Sequence, residues 1–296
     1  APFLGANGLR VYCPDQPGFG WSDTGPAGLA YSNMGSLGHT QFINDFADAL
    51  CLDTFYLGGN SMGMGNTVQY TIQHPDRVKG MFLVAGGFGN IIDPSLRVPP
   101  ADGKWTPNTE YATIPFDGTE ESMVALMLGI IHKAGMVWPS LATMRTKSAL
   151  RQAESTKIRN EATQRNATDP NIQQKISMKG RFTELTIPAV YLYGLQDVLS
   201  PVENGFNQED VGFDNVQFFY PDECGHQGQT DQPEMFNQVA LEFFTTGKIS
   251  WKTAQWAGVS RRIPIKGALV EEPEGGFPAP DPAFHDQFKR EFKVAK

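Results

Sequence analysis

The 296-residue chain has only three cysteines, Cys13, Cys51 and Cys224, far apart and odd in number. That excludes a disulfide framework and a cysteine-based metal site, and it suits a reducing compartment. No apolar stretch approaches the roughly 20 residues needed to cross a bilayer. No basic run occurs, and a formal net charge of -8 argues against nucleic acid or an anionic membrane as the main partner. Residues 1–10 lack the charged-then-apolar order of a signal peptide. With no Cys/His ligand cluster and no phosphate loop, neither a metal nor a nucleotide cofactor is expected. The expectation is a soluble, cytoplasmic protein with a small-molecule partner; a homo-oligomer stays open.

What the chain does have is an ordinary globular balance, 40% hydrophobic and 19% charged, and enough length for a sizeable core. Leu9–Tyr12 reads as a strand entering the Gly/Pro loop "CPDQPGFGWSD". Residues 40–50 space Phe42, Ile43, Phe46, Ala47 and Leu50 as a helix. A strand at Phe55–Leu57, a helix at Asn66–Gln73 and a strand at Val78–Ala85 follow. Strands alternating with helices imply a parallel sheet with helical crossovers.

That alternation stops across 89–185, where a Pro- and Gly-rich loop precedes helices at Glu120–His132 and Leu141–Asn166. It resumes with strands "AVYLY" (Ala189–Tyr193) and "VQFFY" (Val216–Tyr220) and a helix over Pro233–Thr245. The expected organisation is a core over 1–88 and 186–247, a helical cap over 89–185, and a tail over 248–296. That tail reads either as a segment wrapping the surface or reaching a neighbour, or as partly disordered.

Between the second strand and the second helix stands "LGGNSMGMG", which contains Gly59-Asn60-Ser61-Met62-Gly63. A G-x-S-x-G sequence in that setting is a nucleophile elbow, with the serine strained and exposed at the carboxyl edge of the sheet. Glycines at 59 and 63 are expected because side chains there would strike neighbouring backbone. The helix beginning at Ser61 would turn its positive end and free N–H groups, Met62's first, toward developing negative charge.

A serine nucleophile needs a base, and the base needs an orienting group. His39 and His74 lie on or beside helices, His132 in the cap and His285 in the tail. His226 lies in "YPDECGHQGQ", which leaves the last strand at the same sheet edge as Ser61. Asp197 follows "AVYLYG" in the same way. Asp214, Asp222 and Glu223 are the competing carboxylates. The order Ser61, Asp197, His226 is that of α/β-hydrolases.

The loop "PDQPGFGWSD", the elbow, "YGLQD" and "CGH" together resemble a cap-bearing α/β-hydrolase over most of residues 8–247. "GNSMG", "CGHQGQTDQPEMFNQV", and "EESMVALMLGIIH" followed by "SLATMR" are similar to the meta-cleavage product hydrolases, which cut a carbon–carbon bond in vinylogous diketone acids from aromatic-ring degradation. The resemblance implies a mostly parallel sheet with helices on both faces and an inserted helical cap. It makes Ser61, Asp197 and His226 the triad and Asn60 a polar neighbour of the nucleophile. It also makes Arg145 a cap residue facing the substrate's charged end.

On the residues alone, Asn60 could simply hold the elbow, and a lone arginine such as Arg145 more often sits on a solvated helix face. The chain departs from the family at Gln227, where members often carry an aromatic residue, and at Met64, where they place a glycine. Members also begin with further strands and a His-Gly loop supplying half of the oxyanion hole. No His-Gly pair occurs here, so the expectation is a fold whose N-terminal strands are missing, by truncation or with another segment substituting. Three functions remain: a carbon–carbon bond hydrolase, a carboxylesterase using the same triad, and a ligand-binding hydrolase fold without turnover.

Overall fold

The computed structural model describes residues 1–86, 115–176 and 185–284. Among these residues, four parallel strands form a sheet in the order β1 (Phe55–Asn60), β2 (Val78–Val84), β3 (Ala189–Leu192), β4 (Val216–Phe219). Asn60 stands opposite Val84, Val84 opposite Leu192, and Leu192 opposite Phe219. Because every strand points the same way, all four carboxyl ends open on one edge.

Side chains alternate across the sheet, and the two faces feed two cores. Leu83, Tyr191, Tyr193, Phe218 and Tyr220 join Met64, Val68 and Tyr70 of α4 (Met62–Gln73) on one face. Val84, Val190, Leu192 and Phe219 join Phe236, Val239 and Phe243 of α11 (Pro233–Thr246) on the other. The first face is also covered by α3 (Ser36–Ala49), through Ile43, and by α9 (Val202–Glu209). β-rich strands buried on both faces need this double cover.

Leu9–Tyr12, expected as a strand, pairs with no other strand among the described residues. The Leu9 N–H instead donates back to Leu4 O of α1 (Pro2–Ala6), at 3.1 Å. The Tyr12 ring packs edge-on to Phe46 of α3, with centroids 5.7 Å apart. An apolar run becomes a strand only where a neighbour accepts its ladder; here packing on a helix takes that place. A helix not read from sequence, α2 (Pro26–Ser32), begins on a proline at its first position, a favoured start.

Among the described residues, four α-helices lie between β2 and β3: α5 (Glu120–Ile130), α6 (Pro139–Arg151), α7 (Ala153–Ala167) and α8 (Pro170–Ile176). Met123, Met127, Ile131 and Ala142 form their own small core, which packs α5 against α6. Trp138 is 57% exposed. The single helix expected over Leu141–Asn166 is interrupted at Gln152, whose buried side chain serves the loop below. Its Nε2 donates to the carbonyls of Phe19, Gly20 and Ser22 at 3.0–3.3 Å. Arg159 adds its guanidinium over the Phe19 ring, 4.3 Å from the centroid.

Residues 248–284 pack on the outer edge of the sheet. Tyr220 N–H donates to Gly258 O (2.8 Å) and Ser260 N–H to Phe218 O (3.0 Å), so the segment shields β4 from edge pairing. Ile249, Ala254 and Ala257, around α12 (Trp251–Trp256), and Val259 and Val270 beyond it, complete the second core. Arg262 binds Asp210 through two 2.8 Å bonds and stacks on Phe206. His285 lies outside the described residues, as do parts of the expected cap and tail.

Candidate active site

Ser61 sits where β1 turns into α4, with φ 55° and ψ -117°. That left-handed conformation in a non-glycine residue is strained and is held from outside. The Ser61 N–H donates to Val84 O (2.9 Å) and Ala85 O (2.6 Å), locking the turn against the end of β2. A Cβ at Gly59 would overlap the Gly63 carbonyl, which explains glycine at 59. The matching expectation for Gly63 fails: a Cβ there meets nothing within 4 Å, because it faces outward from the first turn of α4. The Ser61 side chain caps no N–H of α4, so its hydroxyl is not spent on the helix. Met62 leads that helix, where N–H groups have no acceptor within the helix itself.

Asp197 and His226 come from the loops after β3 and β4. His226 Nδ1 stands 2.8 Å from Asp197 Oδ2, with the side chains 5% and 0% exposed. The other carboxylate oxygen, Oδ1, accepts the N–H groups of Leu199 and Ser200, each at 2.9 Å. A carboxylate accepts only, so Nδ1 carries a proton, and in the neutral ring Nε2 presents the lone pair. His226 Nε2 is buried and has no hydrogen-bond partner; the bond to the Ser61 hydroxyl is not formed.

The two loops are fastened together. A Cβ at Gly194 would overlap the Cys224 and Gly225 carbonyl oxygens, so only glycine permits the approach. Gln196 N–H donates to Cys224 O, and Cys224 N–H to Gln196 Oε1, both at 2.8 Å. Tyr193 donates to Ser200 O at 3.0 Å and braces the Asp197 loop from beneath. Burial first, and then the nearby Asp197 charge, hold the Tyr191 and Tyr193 phenols well above their ordinary range.

Asn60 performs a holding function. Its Nδ2 donates to His226 O at 2.8 Å and to Val84 O at 3.3 Å, tying the elbow to the histidine loop. Arg145 of α6 is half-buried, and its Nη1 reaches Gln227 Oε1, next to His226, at 3.4 Å. Desolvation lowers its pKa. Among the described residues no carboxylate forms an ion pair with it.

The other candidates are occupied elsewhere. His39 is buried beside Phe19, and burial, followed by the Arg159 charge, lowers its pKa to about 4. His74 ends α4, and His132 Nε2 lies 3.4 Å from Glu223. Asp222 accepts from the Gln196 amide, and Asp214 is exposed opposite Lys266. Sequence reading missed Asp231, a buried carboxylate at the end of α10 (Gly228–Asp231) that accepts the backbone N–H groups of Gly225, beside His226, and of His132 and Lys133. Just ahead of a proline-led helix, it reads as an ordinary helix-start residue.

A family model described as the alpha/beta hydrolase fold matches residues 1–113. A 2-hydroxy-6-oxononadienedioate/2-hydroxy-6-oxononatrienedioate hydrolase from Paraburkholderia phymatum is 28% identical over 80% of this chain and 76% of its own length. A 2-hydroxy-6-oxo-6-phenylhexa-2,4-dienoate hydrolase from Burkholderia cepacia is 24% identical over 83% of this chain and 80% of its own. The solved meta-cleavage product hydrolase from Pseudomonas fluorescens superposes with a TM-score of 0.63 at 21% identity, covering 83% of each chain. The chain has the α/β-hydrolase fold, and it resembles the meta-cleavage product hydrolases. No helix among the described residues is long and apolar enough to cross a membrane.

Proposed function

We propose that the chain is a serine hydrolase that cleaves a carbon–carbon bond in an acidic dienone of the vinylogous diketone type. The observation that carries the mechanism is the buried Asp197–His226 pair, whose free Nε2 lies at the sheet edge shared with Ser61. In this reading the Ser61 hydroxyl adds to the substrate carbonyl while His226 Nε2 takes its proton. The Met62 N–H stabilises the oxyanion. His226 then returns the proton to the departing carbon as the bond breaks; water, giving its proton to His226, next adds to the acyl carbonyl, and Ser61 leaves with that proton.

Substrate choice rests on Arg145. A half-buried guanidinium without a carboxylate partner among the described residues is costly unless a ligand supplies one, and a dienone acid does. Helices α5 to α7 act as the cap over the site. The dienoate hydrolases it resembles carry such substrates in their names.

The test compares wild type and Ser61→Ala on a synthetic dienone acid and on a chromogenic acetate ester, with fluorophosphonate labelling of the wild type. Ser61→Ala is expected to lose nearly all turnover, and the label to sit on Ser61. Labelling at another residue sinks the mechanism. Turnover of the ester alone would select the carboxylesterase reading instead.

A further inference from the structure

We infer that Asp231 is a positioning residue for His226 and that it couples the histidine loop to the end of α5, so that the two move as one body. This rests on the serine-hydrolase reading above.

Asp231 is 3% exposed. Its Oδ2 accepts the N–H of Gly225 at 2.8 Å and of His132 at 3.2 Å, and its Oδ1 accepts the N–H of Lys133 at 2.7 Å. No cation forms an ion pair with it among the described residues; three backbone N–H groups are its hydrogen-bond donors. Three donors converging on one buried point call for a group that only accepts, and a carboxylate is that group.

The residues on both sides of His226 are held to the same segment. Gly225 is bound through Asp231, and the Gln227 N–H donates directly to Ile130 O at 3.1 Å. The approach is close: a Cβ at Gly225 would lie 3.0 Å from His132 N. Asn60 holds the carbonyl of His226 itself. The imidazole is thus aimed by Asp197 at the ring, by Asn60 from the elbow, and by Asp231 from α5. Any shift of α5 over a bound substrate would be carried through Asp231 to the backbone of the base.

Asp231→Asn replaces one accepting oxygen with an amide NH2 that faces N–H donors, loosening this anchor while leaving the ring's bond to Asp197. A misaimed base is expected to lower kcat on a neutral ester on the order of a hundredfold with little change in KM. Fluorophosphonate labelling of Ser61 should slow by a similar factor. The downfield Nδ1 proton resonance of His226 should broaden or shift. Lys133→Pro removes one of the three donors from the α5 side without touching Asp231, and should act in the same direction but less strongly.

Thermal melts establish which variants fold; if Asp231→Asn does not, Lys133→Pro decides. A folded variant with wild-type kcat, labelling rate and histidine resonance overturns the positioning role. Labelling of wild-type Ser61, and its loss in His226→Ala, test the triad separately. Failure there would defeat the serine-hydrolase reading whatever Asp231 does.

Discussion

His226 Nδ1 and Asp197 Oδ2 stand 2.8 Å apart with both side chains buried, and the opposite ring nitrogen has no partner. One imidazole nitrogen is therefore committed to holding the ring, while the other is free to take a proton. Asp197 is itself fixed by the N–H groups of Leu199 and Ser200.

Asp197→Asn keeps the shape of this pair but can present an amide N–H to Nδ1, favouring the tautomer that blocks Nε2. A loss of about 10⁴-fold in kcat is expected, with KM nearly unchanged. Steady-state kinetics on a chromogenic ester measure it, and activity within a few-fold of wild type would remove Asp197 from the triad.

Arg145→Ala should discriminate between substrates. A charge-assisted contact in a partly buried site contributes roughly 1.5–3 kcal/mol, so kcat/KM for an acidic dienone should fall about ten- to a hundredfold. A neutral short-chain ester should be almost unaffected. Equal losses on both would give Arg145 a structural function through Gln227.

Two elbow glycines should behave oppositely. Gly59→Ala forces a methyl group into the Gly63 carbonyl and should destabilise the fold by roughly 1–3 kcal/mol, with loss of turnover. Gly63→Ala places its methyl in open space within a helix, where alanine is favoured over glycine by up to about 1 kcal/mol. Denaturant melts of both variants check the contrast; similar losses would contradict it.

Glu209 should make stability depend on pH. Burial pushes its carboxyl from 4.5 up to about 7, against the opposing pull of Ser260, Tyr220 and Arg262. The folded chain thus keeps a proton that the unfolded chain releases. That contribution is complete below pH 4.5 and is lost as pH rises to about 7, a change of roughly 3 kcal/mol. Glu209→Gln should flatten the decline across this window. Parallel stability curves for the two proteins would assign it to other groups.

The sequence by itself determined the parts that local chemistry specifies. Apolar runs flanked by glycine and proline marked β1 to β4 to within a few residues. The glycines around Ser61 marked the turn because only a small residue at 59 allows the helix to start so near the strand. Chain order then pointed to Asp197 and His226, and a parallel sheet brings such loops to one edge. Tertiary structure alone decided what depends on partners distant in the chain. Leu9–Tyr12 is no strand because none of the described residues bonds its ladder, and where the helix after Leu141 is interrupted, Gln152 serves a loop some 130 residues earlier. Asn60 proved to hold His226, and Asp231 proved to bind the segment just after α5 to the histidine loop. A hydrogen bond between remote segments leaves no periodicity or composition to read, since only the fold creates the distance that makes it.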